Sequence, residues 1–163
     1  MILTNNLGYP RIGKNRELKF ALEAFWKKKT TLNDLLKVAE EIQISNWGLQ
    51  RSAGIDLIPS NDFSLYDHVL DAAVMLGAIP ERFTSIDVES DYDLYFAMAR
   101  GYVSPEGENI PAMEMTKWFN TNYHYIVPEV GADTRFELNP LKPLAAFELA
   151  KNCLLYTSPS PRD

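Results

Sequence analysis

The sequence predicts an α/β fold built on a parallel sheet. Short apolar runs bounded by Gly, Pro and Asn alternate with longer segments of helical period, helix-capping pairs recur between them, and the helices outnumber the clear strands. The sheet such a chain can build is small, roughly three or four strands. No repeat of fixed period is present.

Ile2 and Leu3 open a first strand, and Gly8, Pro10 and Gly13 punctuate the loop after it. A helix follows with Asn15 as N-cap and Glu17 in its first turn, where a negative charge suits the dipole. Its apolar face is Leu18, Leu22, Phe25 and Trp26. Thr31 with Asp34 makes a capping box for a second helix through Leu32, Leu35, Leu36, Ala39 and Ile42 to about Ala53, with Gly54 as its stop. The run Ile55–Ile58 reads as a buried parallel strand. Ser64 with Asp67 reads as another box, opening a helix to about Leu76 that Gly77 ends, and Ser90 with Asp93 opens one that Gly101 closes. Residues 105–109 are loop-like. Tyr125–Val127 and Phe136–Leu138 read as strands. A last helix is expected over 140–150, with Pro143 confining its ordered part to the far end.

Composition narrows the function. With 163 residues, 46% of them hydrophobic, the chain suits about one domain. A net charge of −6 argues against nucleic acid or an anionic membrane as the main partner. No apolar run is long enough to span a membrane, and the first residues lack the pattern of a secretory signal. A lone cysteine, Cys153, makes no internal disulfide. These features favour a cytoplasmic protein. From Cys153 to Asp163 two Ser-Pro steps replace any helical period. This segment reads as a foreign or disordered tail, a natural Pro/Ser linker being the alternative.

Two segments carry candidate chemistry. The loop-to-helix turn Arg11–Lys19 holds Arg11, Lys14, Arg16 and Lys19, four cations within nine residues of an acidic chain. At a helix N-terminus, with its unpaired N–H groups, they make a seat for carboxylates or phosphates. The plain alternative is a solvated helix start. The second segment, Glu114–Pro128, combines Lys117, Asn120, Asn122 and His124 with Trp118, Phe119, Tyr123 and Tyr125. It reads either as a binding site for a flat, acidic molecule or as a core strand with wet edges. Metal binding has little support: His68, His124, Glu114 and Cys153 stand at no ligand spacing, and His68 reads as a packed or hydrogen-bonded helix residue. No nucleophile elbow, P-loop or dinucleotide fingerprint is present, and no catalytic residue is assigned.

Together these residues resemble a known family. Leu7-Gly-Tyr-Pro-Arg-Ile-Gly13, Arg16-Glu-Leu-Lys19, Phe25-Trp26, Tyr66-Asp-His-Val-Leu70 and above all Glu114–Pro128 are similar to the N-terminal domain of cobalamin-independent methionine synthases. The resemblance runs from Leu7 to about Val130 and weakens toward Asn152. It implies that residues 1–152 are the opening units of an incomplete (β/α)8 TIM-type barrel. It also implies methyl transfer from 5-methyltetrahydropteroyltri-L-glutamate to L-homocysteine in the full enzyme, using zinc and no cobalamin. The zinc ligands are expected in a second barrel absent from this chain. The folate-binding positions that carry over are Arg16, Glu17, Leu18, Lys19 and Lys117, with Asn15 adjacent and Asn122 as a further position. On this resemblance the chain is a folate-binding fragment, inactive alone. Two other readings stay open: a non-catalytic module for a polyanionic, pterin-like ligand, and a chain with no stable fold.

Overall fold

The computed structural model describes residues 2–155. The chain is mixed α/β and forms two compact units. One runs to Leu65 and resumes at Lys142; the other is Tyr66–Leu141.

In the first unit, α1 (Glu17–Trp26) packs against α2 (Leu32–Ser52). Leu18 and Leu22 of α1, and Leu35, Ala39, Ile42 and Trp47 of α2, are buried, as the helical period predicts. The Thr31 box forms as expected: Thr31 Oγ1 accepts from the Asp34 N–H, and the Asp34 carboxylate accepts from the Thr31 N–H. Asn15 does not cap α1. Arg16 is the N-cap, with left-handed backbone at φ 65°, and its side chain makes no capping bond.

The expected strands at Ile2–Leu3 and Ile55–Ile58 shrink to one parallel bridge, Asn5 to Leu57. Side chains replace the ladder next to it. Asp56 Oδ2 accepts from the Thr4 N–H and hydroxyl, both at 2.8 Å, and Thr4 Oγ1 accepts from the Asp56 N–H at 3.0 Å. Leu57 is 52% exposed, so the buried strand read from its apolar run is not formed among the described residues.

The Thr4 backbone N–H, and then its hydroxyl, hold the Asp56 carboxyl below its usual range. A depressed folded value means the tether is fully present above the ordinary aspartate value, about pH 4, and fades as pH falls through the lower folded value. The Thr4 amide resonance should therefore titrate with a midpoint below that of an unstructured aspartate, and a midpoint at or above it would contradict the tether.

In the second unit, α3 (His68–Met75) and α4 (Asp91–Arg100) lie beside two hairpins. Ser90 caps α4 as read, and Gly101 ends it. The cap of α3 is Asp67, not Ser64: Asp67 Oδ2 accepts from the Leu70 N–H at 2.8 Å, whereas Ser64 is fully buried upstream. His68 is exposed at the first turn rather than packed.

The expected parallel ladder gives way to two antiparallel hairpins, β1 (Tyr102–Val103) with β2 (Asn109–Ile110) and β3 (Met115–Lys117) with β4 (His124–Ile126). Their links are hairpin-length, too short for the crossover that parallel pairing needs. Phe136–Leu138 is not a strand. The N–H groups of Glu137 and Asn139 donate to the carbonyls of Leu76 and Met75 at 3.0 and 2.7 Å, satisfying acceptors that the end of α3 leaves open. Gly77 turns there at φ 67°, and a Cβ would lie 2.9 Å from the Glu137 carbonyl oxygen.

Helix α5 (Leu141–Ala150) is ordered from its start, contrary to the reading of Pro143. Pro143 stands in the first turn, where a missing N–H costs no helical bond. A π turn continues it over Lys151–Leu155. Within the first unit, Lys142 Nζ donates to Asn61 Oδ1 and to the Phe63 carbonyl, both at 2.9 Å. The Ser-Pro steps of the expected tail lie outside the described residues.

Candidate functional site

The basic turn precedes and opens α1 in the first unit. Arg16, the one non-glycine residue of the turn with left-handed backbone, leads the chain into the helix at a cost of about 1–2 kcal/mol. Glu17 holds the turn together. Its carboxylate accepts from its own backbone N–H, from the Asn15 N–H at 2.9 Å and from Asn15 Nδ2 at 3.1 Å. These backbone bonds, with smaller help from the Asn15 amide and Lys14, keep the Glu17 carboxyl below its usual range. Gly13 beside it stands at φ 82°, a backbone conformation that a residue with a Cβ adopts only under strain.

Glu17 therefore occupies part of the anion seat that the helix terminus offers. The Leu18 N–H is also committed, to the Ile12 carbonyl at 3.2 Å, and the Leu18 side chain is wholly buried. Arg11 braces the unit, its Nη1 donating to the carbonyls of Ser64 and Leu65 at 3.2 and 3.0 Å. What the turn presents outward is charge: Lys14, Arg16 and Lys19 are exposed, and Lys19 makes a loose 3.8 Å pair with Glu23.

The aromatic stretch forms β3, a turn and β4 in the second unit. Lys117 stands opposite His124 in register, and Thr116 opposite Tyr125. Lys117 is exposed, and among the described residues no carboxylate pairs with it. Asn122 is exposed in the turn, its carbonyl 3.1 Å from His124 Nδ1. The rings are not core. Trp118 is 47% exposed and Phe119 83%, with Phe119 at φ 49°. Trp118 meets Phe119 and Tyr125 edge-on at centroid distances of 5.1 and 5.5 Å. Only Ile126 of β4 is fully buried. This exposure disfavours the core-strand reading and leaves an aromatic tip beside an unpaired lysine.

Asn15 to Lys19 thus form one continuous cluster in the first unit, and Lys117 with Asn122 flank one hairpin turn in the second. A groove of about 600 Å3 in the first unit, between Asn5, Leu57, Ser60 and Phe147, contains none of these residues. Asp67 escaped notice as more than a partner of Ser64 in a capping box: it is itself the cap, and it also binds Tyr123 and Ile126. Nothing in the sequence marked that second role. Among the described residues no three His, Cys, Asp or Glu side chains gather as a metal site requires, so the described residues do not fit zinc. No described helix is long and apolar enough to cross a membrane.

Comparison with known proteins adds the following. A family described as cobalamin-independent synthase, N-terminal domain, matches residues 3–160. A protein of Chelativorans sp. is 53% identical over 161 residues, covering 94% of this chain and 21% of the relative. One of Flavobacterium johnsoniae is 54% identical over 157 residues, covering 96% and 20%. One of Nitrosomonas europaea is 59% identical over 136 residues, covering 83% and 17%. Each is called a 5-methyltetrahydropteroyltriglutamate–homocysteine methyltransferase. The chain spans about a fifth of the length of these relatives.

Proposed function

Because the chain belongs to the cobalamin-independent synthase N-terminal domain family, we propose that it supplies part of the folate-binding surface of a methyltransferase that makes methionine. The methyl donor is 5-methyltetrahydropteroyltri-L-glutamate and the acceptor L-homocysteine, as the names of its relatives state for those proteins. The observation that carries the reading is the basic turn itself: Glu17 folds back to shape the loop and leaves Lys14, Arg16 and Lys19 facing outward. A triglutamate tail is a chain of carboxylates, which guanidinium and ammonium groups bind with charge-assisted hydrogen bonds. In the second unit we propose Lys117 and Asn122 as folate-binding positions in their own right, a cation and an amide suited to a carboxylate or the polar edge of a pterin. Asn15 positions Glu17, and Leu18 anchors the turn in the core.

The role of these residues is to bind and orient. Zinc, when bound by such an enzyme, lowers the pKa of the homocysteine thiol. Since the described residues do not fit the metal, we assign that chemistry to other parts of such an enzyme and expect the isolated 163-residue chain to be inactive in methyl transfer. The barrel reading draws support from the parallel bridge between Asn5 and Leu57, which joins the two expected strands across the α1–α2 crossover. We read this bridged pair as marking the first two strand positions of a TIM-type barrel that the isolated chain leaves unformed among the described residues.

Calorimetry tests the binding claim. The isolated chain should bind the triglutamate form of methyl-folate saturably, more tightly than the monoglutamate, and less tightly as salt rises. A folded chain that gives no heat with the triglutamate, or equal affinity for both forms, would overturn it.

A further inference from the structure

Asp67 makes more bonds than a helix cap requires. It is 2% exposed. Its Oδ2 accepts from the Leu70 N–H at 2.8 Å, which caps α3, and from the Ile126 N–H at 3.2 Å. Its Oδ1 accepts from the Tyr123 hydroxyl at 2.6 Å. Its own N–H donates to the Tyr95 hydroxyl at 3.2 Å, which fixes the carboxylate from behind. One oxygen of a serine or asparagine suffices for a cap. The remaining bonds reach 56 and 59 residues along the chain, to two points that bracket His124. His124 is the register partner of Lys117. A buried carboxylate is expensive unless donors surround it, and the three donors here come from α3, from β4 and from the turn just before β4.

We propose that Asp67 is a positioning residue: through Tyr123 and Ile126 it fixes β4, and through the β3–β4 pairing it fixes Lys117 for the ligand's carboxylates. The proposal rests on the folate reading given above. The rings at the hairpin tip hold it only from the solvent side: Trp118, 47% exposed, meets Tyr125 edge-on, and Phe119 is 83% exposed. The inward anchors of β4 are Ile126 and the carboxylate of Asp67.

Two variants separate clamp from cap. Tyr123→Phe keeps the ring and removes the hydroxyl that donates to Oδ1. Asp67→Ser keeps a cap oxygen for Leu70 but is too short to hold β4 as well. In both, amide exchange at Leu70 should stay within about twofold, while exchange at Ile126 should quicken by about tenfold. Affinity for 5-methyltetrahydropteroyltriglutamate should fall about fivefold in each, and Tyr123→Phe should cost nothing further in a Lys117→Ala background, because the two then act through one contact. That coupling is a readout that simple loss of stability would not produce. Unchanged exchange at Ile126, or additive losses with Lys117→Ala, would overturn the proposal. A wild-type chain that binds no triglutamate would instead sink the folate reading, and the positioning role with it.

Discussion

Trp47→Ala should destabilise the first unit by about 3–5 kcal/mol, the largest effect expected of any single substitution in this chain. Trp47 is 1% exposed on the inner face of α2, and it is the largest fully buried side chain. Truncation removes its contacts and leaves a cavity that neighbouring elements cannot fill without moving. It also strips the Pro59 carbonyl of the indole N–H that donates to it at 3.1 Å, leaving a part-buried acceptor short of a partner. That bond ties α2 to the segment after Leu57, so the variant should loosen the parallel bridge as well. Domains are stable by about 5–15 kcal/mol, so a loss of about 3–5 kcal/mol consumes roughly a fifth or more of the total. Trp47→Phe keeps most of the volume and should cost roughly 1–2 kcal/mol, mainly through the lost hydrogen bond. Urea unfolding followed by far-UV circular dichroism measures both. A loss below about 1 kcal/mol for Trp47→Ala would mean that the tryptophan is not the packing centre of α2.

Lys117→Ala should weaken binding of the triglutamylated folate by about 10- to 100-fold, the value of one charge-assisted contact of roughly 1.5–3 kcal/mol. Lys117 is exposed on β3 and carries no ion pair among the described residues, so it enters the complex with its charge uncommitted. Such a lysine has no native partner to lose, and its replacement should leave the thermal midpoint nearly unchanged. The combination of a large affinity loss and an intact fold distinguishes a ligand contact from a structural cation such as Arg82. That guanidinium is forked onto Glu129, bonded to the Pro111 carbonyl and stacked on Phe83, so its removal should act on stability. Calorimetry at two salt concentrations checks the Lys117 prediction: the variant should lose part of the salt dependence along with the affinity. An affinity within twofold of wild type would remove Lys117 from the site.

Local physics was legible in the sequence wherever one residue speaks to neighbours three or four positions away. The Thr31 and Ser90 caps, the buried face of Leu18, Leu22, Leu35, Ala39 and Ile42, and the stops at Gly77 and Gly101 all follow from helical spacing and turn chemistry. The resemblance to the synthase family rested on Glu114–Pro128 and on the turn before α1, and the family match agrees with it. What only the tertiary structure decided depends on partners far along the chain. Thr4 and Asp56 exchange side-chain bonds where strands were expected, residues 136–139 bond to the end of α3 rather than to a strand, and Asp67 divides its carboxylate between α3 and β4. A backbone N–H or a carboxylate oxygen takes whichever partner the fold brings within about 3 Å, and sequence spacing alone does not reveal that partner when it lies some fifty residues away.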